Sequence, residues 1–405
     1  MNLKKLVLVL FVIIIVVTNS YAQQRLAERL VRNEAVYNDK VHAAWLGKFI
    51  GLIAGQPTEG WGREQIEIKA RAINFYPVTG YMPGNFDSRA TNFLAGNIKG
   101  SPSNDDTDLM VTSLLAIREH GINLTARNIA ETWLKYVPSA CTAELVALRN
   151  IQNGIWPPES AEVGNPYQEW IGAQMRGEIW GMIAPGLPTL AADYAFRDAS
   201  VTHTGNGIYG EQFIAALVSA GMVGSNRDNI IQTALKTIPS DCKYAEAVRD
   251  VVAWHRQYPD WQSAWEQLDK KWGFLNNGKR SDAFADSRYN TNKDPYEWDD
   301  MKWVHADVNG AAMTLALLYG DGDFTKSVCL AVMIGYDNDC NSGTVGAVLG
   351  ALNGTKAIAE SWKAPLNDTY RTTLKIPEKQ LSISAIAAET AQYGQQVVKS
   401  MAVGH

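Results

Sequence analysis

Apolar residues recur three and four positions apart along most of this chain. The runs LMVTSLLAIREHG, GEQFIAALVSAGMVG, YAEAVRDVVAWHRQY, AAMTLALLYG and SVCLAVMIGY each gather them on one helical face. Long alternation of apolar and polar positions, the mark of half-buried strands, is absent. The pattern predicts an all-α fold. Two of the helical stretches carry glycines four residues apart: Gly47, Gly51 and Gly55 in one, Gly346 and Gly350 in the other. Glycine inside a helix costs up to about 1 kcal/mol relative to alanine, so the repetition marks a face that another helix or a ligand approaches closely.

The first residues, MNLKKLVLVLFVIIIVVTNSYAQQ, follow a different pattern. Lys4 and Lys5 precede an apolar run from Leu6 to Val17, and Ser20-Tyr21-Ala22 forms a small-x-small cleavage site. The run is shorter than the roughly 20 residues that span a bilayer. Residues 1–22 therefore read as a removable export signal, with the mature protein periplasmic or secreted. Over 23–405 no Pro-rich, Gly/Ser-rich or single-charge linker interrupts the chain, which reads as one domain without a membrane span. The segment from Trp272 to Trp303 is poor in aliphatics and rich in Asn, Asp and Gly, and is expected to be a long surface excursion. Helical spacing returns from Ser384 to Val403 as a final helix.

Charge and cysteine content remove several function classes. The formal net charge is −5 and no Lys/Arg block stands out, which argues against nucleic acid or an anionic membrane as partner. Cys141, Cys242, Cys329 and Cys340 include no C-x-x-C pair, so a zinc ribbon or thioredoxin-like centre is not indicated. An oxidising compartment allows a disulfide such as Cys141–Cys242, while Cys329, inside an apolar run, reads as a buried small hydrophobe. Neither a G-x-S-x-G elbow nor a P-loop occurs.

The candidate chemistry lies at two helix mouths. In SNDDTDLM, Asp105, Asp106 and Asp108 crowd the start of a helix, where acids either cap free N–H groups or offer oxygens to a hard cation. In GYDNDCNSG, Asp337 and Asp339 precede the second glycine-bearing helix in the same way. If the two mouths meet in a bundle core, at least four carboxylates converge. Such a cluster needs protons or a cation, and divalent metal is favoured over two independent caps. One or two divalent metals would supply that neutralisation.

The ordered set GKFIGLIAGQPTEG, NDDTD, SVTHTGNG and GYDNDCNSGTVGAVLGAL resembles the ADP-ribosylglycohydrolase family, which includes the dinitrogenase-reductase-activating glycohydrolases, from Val41 to Gly354. The resemblance implies a compact all-α fold with two magnesium or manganese ions in a central cleft, hydrolysing the bond between a ribose anomeric carbon and its leaving group. Carried over by motif, Asn104, Asp105, Asp106, Asp337, Asp339 and Cys340 are the expected metal ligands. Glu59 and Asp106 are the expected catalytic groups, and Gly172, Arg176, His203 and Asn206 the expected substrate contacts. Asn104 and Cys340 stand where the family has threonines, and Leu52 where it often has an aspartate. Sulfur is a poor partner for magnesium, so Cys340 leaves the second metal position weaker, completed by water, or empty.

The aromatic segment NPYQEWIGAQMRGEIWG reads two ways: rings stacking on a base or sugar with Arg176 on a phosphate, or ordinary core filling with one surface Arg. His305, in KWVHADVNG, is read equally as a cap or packing residue and as a substrate contact. The expected function is an exported metal-dependent glycosyl hydrolase cleaving an N- or O-ribosyl bond in a small molecule or glycoconjugate. Two alternatives remain: a glycosidase for nucleosides, furanosides or envelope sugars, and a sugar- or nucleotide-binding relative without hydrolysis.

Overall fold

The computed structural model describes residues 22–224, 226–273 and 303–403. Its principal helices are α1 (Glu34–Gly55), α2 (Asp105–His120), α3 (Thr142–Gln152), α4 (Glu178–Ile183), α5 (Pro188–Ala199), α6 (Gly205–Val223), α7 (Lys243–Gln257), α8 (Ala306–Tyr319), α9 (Phe324–Ile334), α10 (Asn338–Asn353) and α11 (Ile383–Val403). The all-α expectation holds, and the final helix falls where the spacing placed it. Residues 1–21, which hold most of the export signal, and 274–302, most of the expected surface excursion, lie outside the described residues. Among the described residues no helix is long and apolar enough to cross a membrane.

α10 is buried from Asn338 to Leu352, and α8 along its whole length. Beyond their first turns both are apolar or small on every side, as a helix enclosed by others must be. α10 packs on α1, α6, α8 and α9, which makes it the axis of the molecule. The glycine repeats explain its pairing with α1. A Cβ on Gly47 would collide with the carbonyl of Gly346, one on Gly51 with that of Ser342, and one on Gly55 with that of Asn338. In return, Gly346 meets the Gly47 carbonyl and Gly350 that of Ala43. The two backbones therefore touch along a seam of three turns, and Ser342 Oγ donates to Gly51 O across it at 2.8 Å. At the far end Lys40 Nζ donates to Met222 O at 2.9 Å and Leu352 O at 3.0 Å, covering carbonyls near the C-termini of α6 and α10.

A small antiparallel hairpin, β1 (Thr369–Arg371) with β2 (Gln380–Ser382), was not apparent in the pattern because three-residue strands are too short to alternate. It pins the mouth of α2. Asp108 Oδ1 accepts from the hydroxyls of Tyr370 and Thr372, and its Oδ2 accepts from Thr373 N at 3.1 Å and from the Thr373 hydroxyl.

The Cys141–Cys242 disulfide is corrected: all four cysteines are free thiols. Cys242 Sγ accepts from Ala245 N at 3.3 Å as the cap of α7, and Cys141 Sγ lies 3.5 Å from Asp105 Oδ2. Each sulfur is committed to its own neighbourhood. Cys329 is buried, as expected.

Candidate active site

The two acidic motifs meet. Asn104 caps α2, its Oδ1 accepting from Asp106 N at 2.9 Å, so Asp105 and Asp106 are not needed for that task. The Asn104 amide donates to Asp339 Oδ2 at 3.1 Å and to Gln56 Oε1 at 2.6 Å, joining the mouths of α2 and α10 to the end of α1. Asp106, Asp339 and Cys340 each offer one ligand atom, all within 4.8 Å of one another. Asp337 and Asp339 are buried, and Oδ1 of each lacks a hydrogen-bond partner. Buried oxygens of this kind are costly unless something positive or protic meets them.

Glu59 follows the 3-10 turn Gln56–Thr58 and stands at the exposed end of the cluster, its Oε2 accepting from the Gln56 amide. Its loop is stitched to the residues before Asp337: Gly60 N donates to Tyr336 O at 3.0 Å, and Tyr336 N to Trp61 O at 3.2 Å. Tyr336 holds a left-handed backbone, φ 68°, anchored by its hydroxyl donating to Asp269 Oδ1 at 2.6 Å. That strained residue turns the chain so that Asp337 and Asp339 face Glu59.

Electrostatics record the crowding. The charge of Asp339, then burial and the charges of Asp105 and Asp106, push Glu59 up to about 9. Burial and Asp106 push Asp339 up to about 7, and burial with Asp339 and Glu59 raises Asp337 well above the carboxylate range. Asp105, exposed at the mouth but crowded by protein, is raised by burial and by Asp106.

One cation inside the cluster went unnoticed in the sequence. Lys48 of α1 is wholly buried, with Nζ 2.9 Å from Asp106 Oδ2, 3.1 Å from Glu178 Oε1 and 2.6 Å from Met175 O. The contact with Asp106 is an ion pair short of a directed hydrogen bond. Burial lowers the lysine, but Asp106 and Glu178 outweigh it and hold the ammonium above its ordinary range. Cys340 donates its S–H to Asp106 Oδ1 at 3.3 Å, and burial, then Asp106, raises the thiol far beyond ionisation. The only sequence signal for Lys48 was a lone charge between Gly47 and Gly51 in an apolar helix.

Cavities flank the cluster. One of about 310 Å³ is lined by Asn104, Asp105, Leu109, Val137, Cys141 and Glu144, among others. The other, of about 620 Å³, is lined by Gln56, Glu59, Trp61, Lys69 and Arg89, among others. They face each other across the Gln56–Asn104 hydrogen bond.

None of the four expected substrate contacts lines either cavity. Arg176 is wholly buried, its Nε 3.1 Å from Asp198 Oδ1, its Nη1 3.1 Å from Glu144 Oε1 and 2.8 Å from Gly172 O, and its Nη2 2.8 Å from Thr202 Oγ1. Four of its five N–H donors are so engaged, and Nη2 also lies 3.9 Å from Glu211 Oε2, so the buried guanidinium is held by the protein's own acids. His203 is buried with Nδ1 2.6 Å from Thr202 Oγ1, and burial with Arg176 keeps it neutral. Asn206 accepts from Tyr244 N at 3.0 Å and donates to Glu169 Oε2 at 3.2 Å. A side chain on Gly172 would strike the Glu144 carboxylate. Together these residues form a wall behind Glu144, which does face the smaller cavity and is pushed up to about 7 by burial against the pull of Arg176. Trp170 and Trp180 are core residues, and His305, 3.0 Å from Asp307 Oδ1 at the start of α8, packs there.

The ADP-ribosylglycohydrolase family model matches residues 33–394. A solved structure described as an ADP-ribosylglycohydrolase-related protein complex superposes with a TM-score of 0.52 at 18% identity, covering 88% of this chain and 99% of that one. At that identity the likeness speaks for the fold. No curated protein matches the chain. With the family's two acidic motifs brought together and its model spanning nearly the whole described chain, the protein belongs to the ADP-ribosylglycohydrolase family.

Proposed function

We propose that this glycohydrolase is divalent-metal-dependent and cleaves a ribosyl N- or O-glycosidic bond in a small molecule or glycoconjugate. The observation that carries the reading is the pair of buried carboxylates, Asp337 and Asp339, whose unpartnered oxygens lie within reach of the charges of Glu59 and Asp105, carboxylates that line the flanking cavities. An all-oxygen donor set of this charge fits magnesium or manganese. Asp105, Asp337, Asp339 and Glu59 would hold the ion, which when bound supplies Lewis-acid charge beside the sugar. Glu59 moves the proton: its carboxyl is exposed at the cleft surface, and its ionisation follows the charge of Asp339. Asp106, gripped by Lys48 and Cys340, positions the cluster and takes no proton from substrate. The negative surroundings favour positive charge developing at the anomeric carbon.

Burial of Arg176 favours the second reading of the substrate, a nucleoside or furanoside without a diphosphate. Sugar release from ADP-ribosyl-arginine, ADP-ribosyl-serine, nucleosides and aryl furanosides, with and without chelator, separates the readings. Turnover indifferent to chelation would sink metal dependence, and tight sugar binding without turnover would make the protein a binding relative. Export through residues 1–22 is part of the same proposal, supported by the leader's basic start and apolar run. Mass spectrometry of the mature protein should find Gln23 first.

A further inference from the structure

The carboxylate of Asp106 is already occupied by the chain itself. Its Oδ2 is ion-paired with Lys48 Nζ at 2.9 Å, and its Oδ1 receives the Cys340 thiol at 3.3 Å. The lysine is built in rather than passing through. Glu178 holds it from the other side at 3.1 Å, is itself fixed by Thr344 Oγ1 at 2.7 Å, and Met175 O accepts from the ammonium at 2.6 Å. Gly343 on α10 leaves room for the stem, since a Cβ there would lie 3.2 Å from Lys48 Cδ and 3.4 Å from Nζ. A divalent ion on Asp106 would stand beside this fixed positive charge, in surroundings that screen poorly, and would find a thiol where a hard cation wants oxygen. Asp337 and Asp339 also carry an oxygen without a hydrogen-bond partner, and among the described residues no lysine or arginine is paired with either.

We infer that the Lys48 ammonium stands in for a second metal ion, so that this chain binds one divalent cation, on the Asp337, Asp339 and Glu59 side, where the family resemblance implies two. The inference rests on the metal reading under "Proposed function" and concerns its stoichiometry. Lys48 neutralises Asp106 permanently, and the exchangeable ion neutralises the rest.

The test is a count of Mn(II) per folded chain by electron paramagnetic resonance, with calorimetric titration of magnesium in parallel. The wild type is expected to bind one Mn(II) with an uncoupled spectrum. Cys340→Thr alone should still bind one, because Lys48 remains. Lys48→Met combined with Cys340→Thr should bind two, with the spin coupling of ions about 3.5–4 Å apart. Two coupled ions in the wild type would overturn the inference and leave the metal reading standing, as would a folded double variant that still binds one. No ion in the wild type would overturn both. Should the double variant fail to fold by circular dichroism, the wild-type count decides alone.

Discussion

Asp106 and Asp108 sit two residues apart on one helix turn and do different work, which no inspection of DDTD separates. Asp106 faces the cluster and Asp108 holds the hairpin, because one points toward α1 and α10 and the other toward Tyr370 and Thr372. Asp108→Ala removes a carboxylate that accepts from three hydroxyls and a backbone N–H, and leaves the Tyr370 and Thr372 hydroxyls buried without it. It should cost roughly 3 kcal/mol or more, read as a lower urea midpoint. Glu59→Gln keeps the shape of the side chain and abolishes its titration. It should lower kcat on the order of 100-fold or more with the thermal midpoint unchanged, and a mutant at wild-type rate would remove Glu59 from the chemistry. Asp339→Ala should weaken magnesium in calorimetric titration, since it deletes a buried carboxylate of the cluster whose Oδ1 has no hydrogen-bond partner. Both acidic motifs were legible because each is a local pattern at a helix start. Lys48 and the Arg176 cluster were not. Their partners, Asp106, Glu178, Glu144, Asp198 and Glu211, come from separate elements, and nothing local says that a lysine in an apolar helix or an arginine beside a glycine turn will be enclosed.

At the scale of elements, the four-residue glycine spacing was the most informative pattern, and it marked a helix partner. The α1–α10 seam places Lys48 and Glu59 against Asp339 and Cys340, so the spacing of the site is the spacing of the two backbones. Gly51→Ala puts a methyl group into the carbonyl of Ser342 and should force the helices apart. The expected loss is roughly 1–3 kcal/mol from overpacking, accompanied by weaker magnesium binding. Ala54→Gly, on the same helix but not among the seam glycines, should lower stability without that loss of metal. The hairpin and the turn at Tyr336 escaped the sequence reading because three-residue strands and single left-handed residues leave no period to detect.

The molecule as a whole encloses many ionisable groups, and their raised carboxyls set its response to pH. Burial pushes Asp307 from 3.8 up to about 8 and Glu144 from 4.5 up to about 7. Between those limits the folded state holds protons that the unfolded state has released, so stability is highest at the acidic end and falls as pH rises through the window. Asp307→Asn should flatten its share of that slope, measured by denaturation of the chelated protein at the two ends of the window; an unchanged slope would mean that Asp307 is ionised in the fold. Divalent cation should stabilise the fold by mass action, by about 2.7 kcal/mol at a hundredfold excess over Kd, and so raise the melting temperature.

A cleft hung on a seam that admits no added side chain without parting its helices is inherited as a unit. Change along α1 or α10 endangers the fold before it can alter a preference. By contrast, residues 87–90 and 137–141 line the two cavities outside any named helix, where insertion and replacement are tolerated. Divergence toward a new leaving group would therefore be written in those loops, and grafting them between relatives should transfer substrate preference while the distance from Glu59 to Asp339 stays fixed.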